Sequence, residues 1–298
     1  MARPAALHTP DRTGGWSQLE DTESPDGRVR SPWAHETATI LRHARGGPDW
    51  YTLTLSAGAL ATAALPGQFV QVDVRGDGAV ARTADPLLRR PLSLCTIDAA
   101  GGRISLIYRV VGRGTALLAR ARPGDRLSLL GPLGRSFPEP SRRPDQPLLL
   151  VGGGLGIPPL AGAAAWARRA GRQPVALLGA RRAADLAGVT EVRAAGGAVV
   201  TATEDGSAGR RGLVTDILSA RLSADMEVWA CGPNPMLAAV ADLCRRAGAE
   251  CWLCVERPMA CGFGVCIGCA ISRAAGGGYL KACVDGPVFA AAEVNVLA

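Results

Sequence analysis

Lysine is almost missing from this 298-residue chain: of 33 basic residues, only Lys281 is lysine and the other 32 are arginine. Such one-sidedness suggests a GC-rich genome and cautions against reading the formal charge of +7 as a ligand signal. No basic run exceeds two residues, acidic residues are interspersed among the arginines, and Phe, Tyr and Trp total only 13. Neither a phosphate-tracking stripe nor a stacking platform is present, which argues against a nucleic-acid binder. A secretory apolar region is also lacking, because MARPAALHTP carries Pro4, His8 and Pro10 and leads into a polar stretch. The cytoplasm is therefore the expected compartment, and disulfides are not expected among the nine cysteines. One uncharged stretch of 21 residues, residues 147–167, holds five Gly and three Pro. At about 1 and 3 kcal/mol each inside a helix, these break it into strand, glycine turn and helix, so no membrane span is expected.

What is present is a globular composition, 48% apolar and 20% charged, in a chain long enough for two or three cored units. Residues 1–32 are rich in Pro, Gly, Ser and charge without apolar periodicity, and read as a disordered extension without chemistry. Residues 33–140 alternate short Val, Ile, Leu, Thr and Tyr runs with Gly and Pro, the pattern of an antiparallel β-barrel. Residues 146–250 change rhythm: LLLVGGG, PVALLGA, GAVVTATE and EVWACGP are separated by helical patterns, which indicates a parallel α/β unit. The linker is expected in EPSRRPDQP, residues 139–147, and residues 251–298 form a small cysteine-rich module.

That module reads Cys261-x4-Cys266-x2-Cys269, with Cys283 further on. Three closely spaced thiolates and a distant fourth suit a [2Fe-2S] cluster, and Gly262, Gly264 and Gly268 let backbone amides approach the sulfurs. Zinc is the alternative, through the CxxC units at Cys251/Cys254 and Cys266/Cys269. CWLCVE reads as a strand, however, and would point Cys251 and Cys254 to opposite faces. These two, with Cys95, Cys231 and Cys244, read as ordinary buried thiols.

In the barrel, Arg90-Pro91-Leu92-Ser93 opens a strand with a guanidinium able to grip a phosphate. A turn containing Gly112, Gly114 and Thr115 offers amides and a hydroxyl to a diphosphate. LLLVGGGLGIPPL delivers a glycine turn to a helix, with Pro158 and Pro159 in its first turn, although the third glycine of the dinucleotide pattern is absent. A tight packing turn is the alternative. Cys231-Gly232-Pro233 closes a later strand and should face the same cleft.

In this order, RPLS, GxGT, GGGxGIxPL and CGPxPM resemble the ferredoxin reductase-like flavoproteins. ERPMACGFGVCIGC and KACVDGPVF resemble one branch of them, the electron-transfer subunits of class 1B dihydroorotate dehydrogenases. The resemblance covers about residues 33–290, with Pro158 standing where Ala is usual. It implies FAD on Arg90, Pro91, Leu92, Ser93, Ile107, Tyr108, Arg109, Gly114 and Thr115, with Ser93 near flavin N5. It further implies NAD beside Gly152, Gly153, Gly154, Gly156, Cys231, Gly232 and Pro233, and a cluster on Cys261, Cys266, Cys269 and Cys283. The partner it implies is an FMN-containing dihydroorotate dehydrogenase catalytic subunit in a heterotetramer. Rival expectations are a related hydrogenase, sulfide dehydrogenase or ferredoxin-NADP transhydrogenase subunit, and a scaffold without cofactors.

Overall fold

The computed structural model describes residues 25–75, 85–140 and 143–297. Residues 1–24 of the expected extension, and Ser141 and Arg142 of the expected linker, lie outside them. After strand β1 (Arg28–Arg30) come β2 (Ala34–Arg45), β3 (Trp50–Ser56), β4 (Phe69–Val72), β5 (Arg90–Asp98), β6 (Arg103–Arg109) and β7 (Arg126–Leu133). Strands β2 to β7 close into an antiparallel barrel in the order β2-β3-β6-β5-β4-β7. Alternation drives the closure: Leu53 and Leu55 of β3, and Ile104 and Leu106 of β6, turn inward and are buried. Short helices α1 (Gly58–Ala63) and α2 (Arg113–Leu118) bridge barrel strands, and β8 (Arg135–Pro138) leads out.

The sheet unit contains β9 (Leu148–Gly153), α3 (Pro159–Arg169), β10 (Val175–Ala180), α4 (Val189–Ala194), β11 (Ala198–Thr203), β12 (Arg210–Arg211), α5 (Val214–Ser219), β13 (Glu227–Cys231), α6 (Asn234–Ala247) and β14 (Glu250–Cys254). The remaining strands are β15 (Ala270–Arg273), β16 (Tyr279–Lys281), β17 (Val288–Ala290) and β18 (Val294–Asn295). The large sheet runs β12-β11-β10-β9-β13-β14-β17, parallel except at β17. Barrel and sheet meet closely. A Cβ on Gly162 of α3 would come within 3.0 Å of the Cys95 carbonyl in β5. Phe137 of β8 stacks on Trp229 of β13 with ring centroids 4.8 Å apart. Behind that stack, the Trp229 indole donates to Glu227, whose other carboxylate oxygen pairs with buried Arg172 at 2.6 Å.

Two expectations are corrected. The segment assigned to a disordered extension without chemistry is folded from residue 25 onward. Strand β1 pairs with β8, and buried Arg28 donates to the Val288 carbonyl at 2.6 Å while pairing with Asp26 and Glu293. These acceptors lie far along the chain or in a charged run, so no periodicity announces them. The boundary expected at residue 250 cuts through the sheet, because β14 pairs in parallel with β13 and antiparallel with β17. CWLC is buried on both faces and so belongs to the parallel core, and β17 returns from the cysteine module to extend the same sheet.

The Arg28 contacts generate a prediction. Arg28→Ala removes a buried cation that ties the barrel to the C-terminal module, and should lower stability by about 2–4 kcal/mol in urea unfolding. A change within about 0.5 kcal/mol would show that the strap carries no load.

Candidate cofactor cleft and thiolate loop

The order of the large sheet creates the cleft. From β9 the chain moves to β10 on one side, while β13 pairs on the other, so the loops leaving β9 and β13 diverge at a topological switch point. Cys231 lies opposite Gly152 in that pairing. Gly156 then passes so close to the Cys231 carbonyl and the Gly232 amide that a Cβ would overlap them. Gly154 has φ +53, a left-handed turn that suits glycine.

On the barrel side, β5 opens on β4, with Arg90 opposite Val72 and Ser93 opposite Phe69. A cavity of about 300 Å³ lies between the two units. Arg90, Pro91, Leu92, Ser93, Ile107, Tyr108, Arg109 and Thr115 line its barrel wall, and Gly156, Cys231 and Gly232 line the opposite one. Gly114 does not line it. Its missing Cβ leaves room for the Arg90 guanidinium, which lies directly against it. The Thr115 hydroxyl organises its own turn, accepting from Val111 N at 3.0 Å and donating to Gly112 O. Tyr108 is buried, hydrogen-bonds His43 Nε2 at 2.9 Å and stacks on Tyr51. Burial, with Tyr51 nearby, raises its phenol well above the ordinary range, so it enters the site as a neutral wall.

A second cavity of about 610 Å³ opens beside the first. Gly153, Gly154, Gly156, Gly232 and Pro233 line it, with Arg181, Asp185 and Glu204 from the sheet unit. Gly152 lines neither cavity; a Cβ there would meet Leu160, Leu178 and Ile157, so this glycine serves helix-on-sheet packing. Arg109 borders both cavities and holds Asp49 at 3.1 Å and Asp185 at 3.2 Å, joining barrel to sheet unit. Asp49, Asp185 and Glu256, the last of which lines both cavities, are site residues that sequence reasoning missed. No motif marks them, since the Arg109 partner of the two aspartates is up to 76 residues away in sequence and Glu256 meets the cavities only in the fold.

The thiolate loop connects β14 to β15. The three sulfurs it carries and that of Cys283, which follows β16, fall into two pairs. Cys266 N donates to Cys261 Sγ at 3.4 Å, and the Cys269 and Cys283 sulfurs lie 3.2 Å apart. Cys266 is exposed and Cys261 half-buried, whereas Cys269 and Cys283 are buried. Positive φ at Gly262 and Gly264, and at Ile267, the one non-glycine among the described residues with such backbone, folds the loop around its sulfurs. Burial pushes the Cys261 thiol up, but the amides of Cys266, Phe263 and Val265 outweigh it and bring the group down to about 7. Hydrogen bonding to Cys283 brings Cys269 down to about 6, and Cys283 is raised in return by Cys269. Lys281 Nζ donates to the Gly264 carbonyl at 3.2 Å and braces the loop.

Four thiols arranged two and two, with amides aimed at sulfur, form a donor set that fits a two-iron cluster. Among the described residues no three His, Cys, Asp or Glu side chains converge as a single metal ion requires. Cys251 and Cys254 leave β14 on opposite faces: Cys251 meets Cys244 of α6, and Cys254 meets Cys231. The CxxC unit there does not close on one metal. Cys95 is buried and pushed up to about 12 by that burial.

Two solved structures share the fold. The NADH-dependent reduced ferredoxin-NADP oxidoreductase superposes with TM-score 0.74 at 28% identity, covering 87% of this chain and 89% of its own. The Amycolatopsis cytochrome P450 reductase gives 0.58 at 30% identity, covering 76% and 70%. Fold and cleft thus define a chain of the ferredoxin reductase-like class. Residues 256–295 match the model for the iron-sulfur cluster binding domain of dihydroorotate dehydrogenase B. The electron transfer subunit of dihydroorotate dehydrogenase B (NAD(+)) from Geobacillus kaustophilus is 45% identical over 82% of this chain and 92% of its own length. Its counterpart from Fusobacterium nucleatum is 33% identical over 88% and 98%. The chain belongs to the family of dihydroorotate dehydrogenase B electron transfer subunits.

The backbone contact at Gly156 is testable without any ligand. Gly156→Ala must push the turn after β9 away from Cys231, and should lower stability by about 1–3 kcal/mol in urea unfolding. An unchanged midpoint would mean that the two strand ends are free to separate.

Proposed function

We propose that this chain is the electron-transfer subunit of an NAD-dependent dihydroorotate dehydrogenase. It carries electrons from the FMN of a catalytic subunit, through a [2Fe-2S] cluster and FAD, to NAD+ in de novo pyrimidine biosynthesis. The observation that carries this reading is the meeting of two cavities and a four-thiol loop in one frame, within a chain of this family. FAD, which exchanges hydride with nicotinamide and single electrons with an iron-sulfur centre, supplies the conversion that links the two chemistries.

The chain's own residues provide position and exclusion. Arg90 would grip the diphosphate, with Pro91 stiffening the strand, Leu92 lining the cleft and Ser93 serving the flavin N5 edge as the family likeness implies. Ile107, Tyr108 and Arg109 wall the cleft, and Thr115 fixes the turn that presents Gly114. Nicotinamide dinucleotide enters along Gly153, Gly154 and Gly156, with Cys231, Gly232 and Pro233 facing it across the switch point. Cys261, Cys266, Cys269 and Cys283 hold the cluster. Beside exposed Cys266 in the same loop, Phe263, Val265 and Ile267 leave apolar surface uncovered. Such a patch suits docking of the catalytic subunit where the outer thiol pair is reached. Two copies of each subunit form the assembly by family likeness. No helix among the described residues is long and apolar enough to cross a membrane, and we assign the protein to the cytoplasm.

The ferredoxin-NADP oxidoreductase likeness belongs to the shared fold, whereas the family match over residues 256–295 favours dihydroorotate. Dihydroorotate-dependent NAD+ reduction by the FMN subunit is expected only when this chain is added, and equal rates with and without it would overturn the assignment. Cys266→Ser should abolish electron flow between subunits while NADH still reduces the FAD. Ser93→Ala should slow that NADH step roughly tenfold or more in stopped-flow measurements, with FAD content unchanged.

A further inference from the structure

Gln71 is fully buried on β4, and neither its side-chain nitrogen nor its side-chain oxygen has a hydrogen-bond partner. The contrast with Gln68, three residues earlier, is direct. That buried amide donates to the Gly134 carbonyl at 2.9 Å and accepts from Leu65 N at 2.8 Å. Leaving both ends of a buried amide unmatched is among the more expensive arrangements a core can hold, so it marks a group whose partner arrives with a ligand.

The position says which ligand. Gln71 lies beneath the thiolate loop, against Gly262, the residue that follows Cys261. A Cβ on Gly262 would come within 2.6 Å of Gln71 Nε2. Gly262 has φ +83, so both its backbone and its missing side chain let the amide reach the loop from the barrel side. The amide does not line the cleft where Arg90 and Ser93 lie, although its strand pairs with theirs. An anionic sulfur on the loop side is the complementary acceptor for an N–H donor.

We infer that Gln71 is a positioning residue for the iron-sulfur cluster, its Nε2 donating to a sulfur held by the Cys261 end of the loop. This rests on the cluster reading above and adds to it. The bond is stronger when the acceptor carries more negative charge, so it favours the reduced cluster. Because Gln71 belongs to the barrel, the same bond fixes the cluster relative to the flavin cleft.

The test compares wild type with Gln71→Met, which keeps the length and removes the donor, and Gln71→His, which restores a ring N–H. In EPR-monitored redox titration of the full chain, Gln71→Met should lower the reduced-to-oxidised cluster ratio at fixed potential on the order of tenfold. The flavin titration should stay unchanged, and Gln71→His should return toward wild type. Iron-free Gln71→Met should unfold at no lower urea concentration than iron-free wild type, since the amide it removes has no partner there. An unmoved cluster titration, a shift confined to the flavin, or failure of iron-free Gln71→Met to fold would each overturn the inference. Iron and flavin contents of wild type are measured first: lack of iron would remove the cluster reading itself, whereas normal iron with an unmoved titration removes only the role of Gln71.

Discussion

The cofactor cleft depends on the pairing of β9 with β13 in the middle of the large sheet. That pairing reverses the direction in which the sheet grows, so the connections leaving the two strands part company and a crevice opens between them. The crevice stays narrow because Gly156 contacts the Cys231 carbonyl with no side chain between them. The barrel then closes it from outside, through the ends of β5 and β6, and Phe137 stacked on Trp229 fixes the angle. Arg109 completes the closure by holding one carboxylate from each unit.

The cysteine module is bound into the same frame rather than appended to it. It leaves the sheet at the end of β14 and returns to the edge of the same strand as β17. Trp33 stacks on Phe263 of the loop, and Arg28 grips the carbonyl of Val288. A strap from the start of the fold therefore crosses barrel and module together. Transfer of single electrons between two centres requires that their separation not wander, and three independent attachments meet that need better than a flexible tether would.

Much of this was legible in the sequence, for identifiable reasons. Barrel strands and parallel strands differ in their apolar rhythm, because one kind is half-buried and the other buried on both faces, and LLLVGG and CWLC show the second pattern plainly. The four cysteines were legible from spacing alone, but not their grouping as 261 with 266 and 269 with 283, which depends on the left-handed turns at Gly262, Gly264 and Ile267. Gly152 reads like its neighbours in a glycine run and differs only by pointing at Leu160 and Leu178. The strap stayed hidden because its information lies in long-range partners: Arg28 is polar, sits in a charged stretch, and meets residues some 260 positions away. Asp49 and Asp185 were hidden in the same way, as ordinary surface carboxylates until the fold brings Arg109 between them.

The near-absence of lysine returns here as a structural matter. Arginine's planar fork can bind several acceptors at once, and the frame uses it so: Arg28 reaches Asp26, Glu293 and a carbonyl, Arg109 spans two carboxylates, and Arg172 pairs with Glu227 while donating to the Gln146 carbonyl. The loop at Gly264 presents a different problem. A single carbonyl must be held in a tight turn where little room remains, and a Cβ on Gly264 would already lie 3.5 Å from the ammonium of Lys281. A compact ammonium on a flexible stem fits one acceptor there, whereas a fork would bring donors with nothing to bind. The same residue's amide is fixed by Asp285 at 2.7 Å, two residues past Cys283, so the bracing cation and the last thiolate are held by one turn. In a chain that uses arginine at every other basic position, the one lysine stands where geometry asks for a point charge.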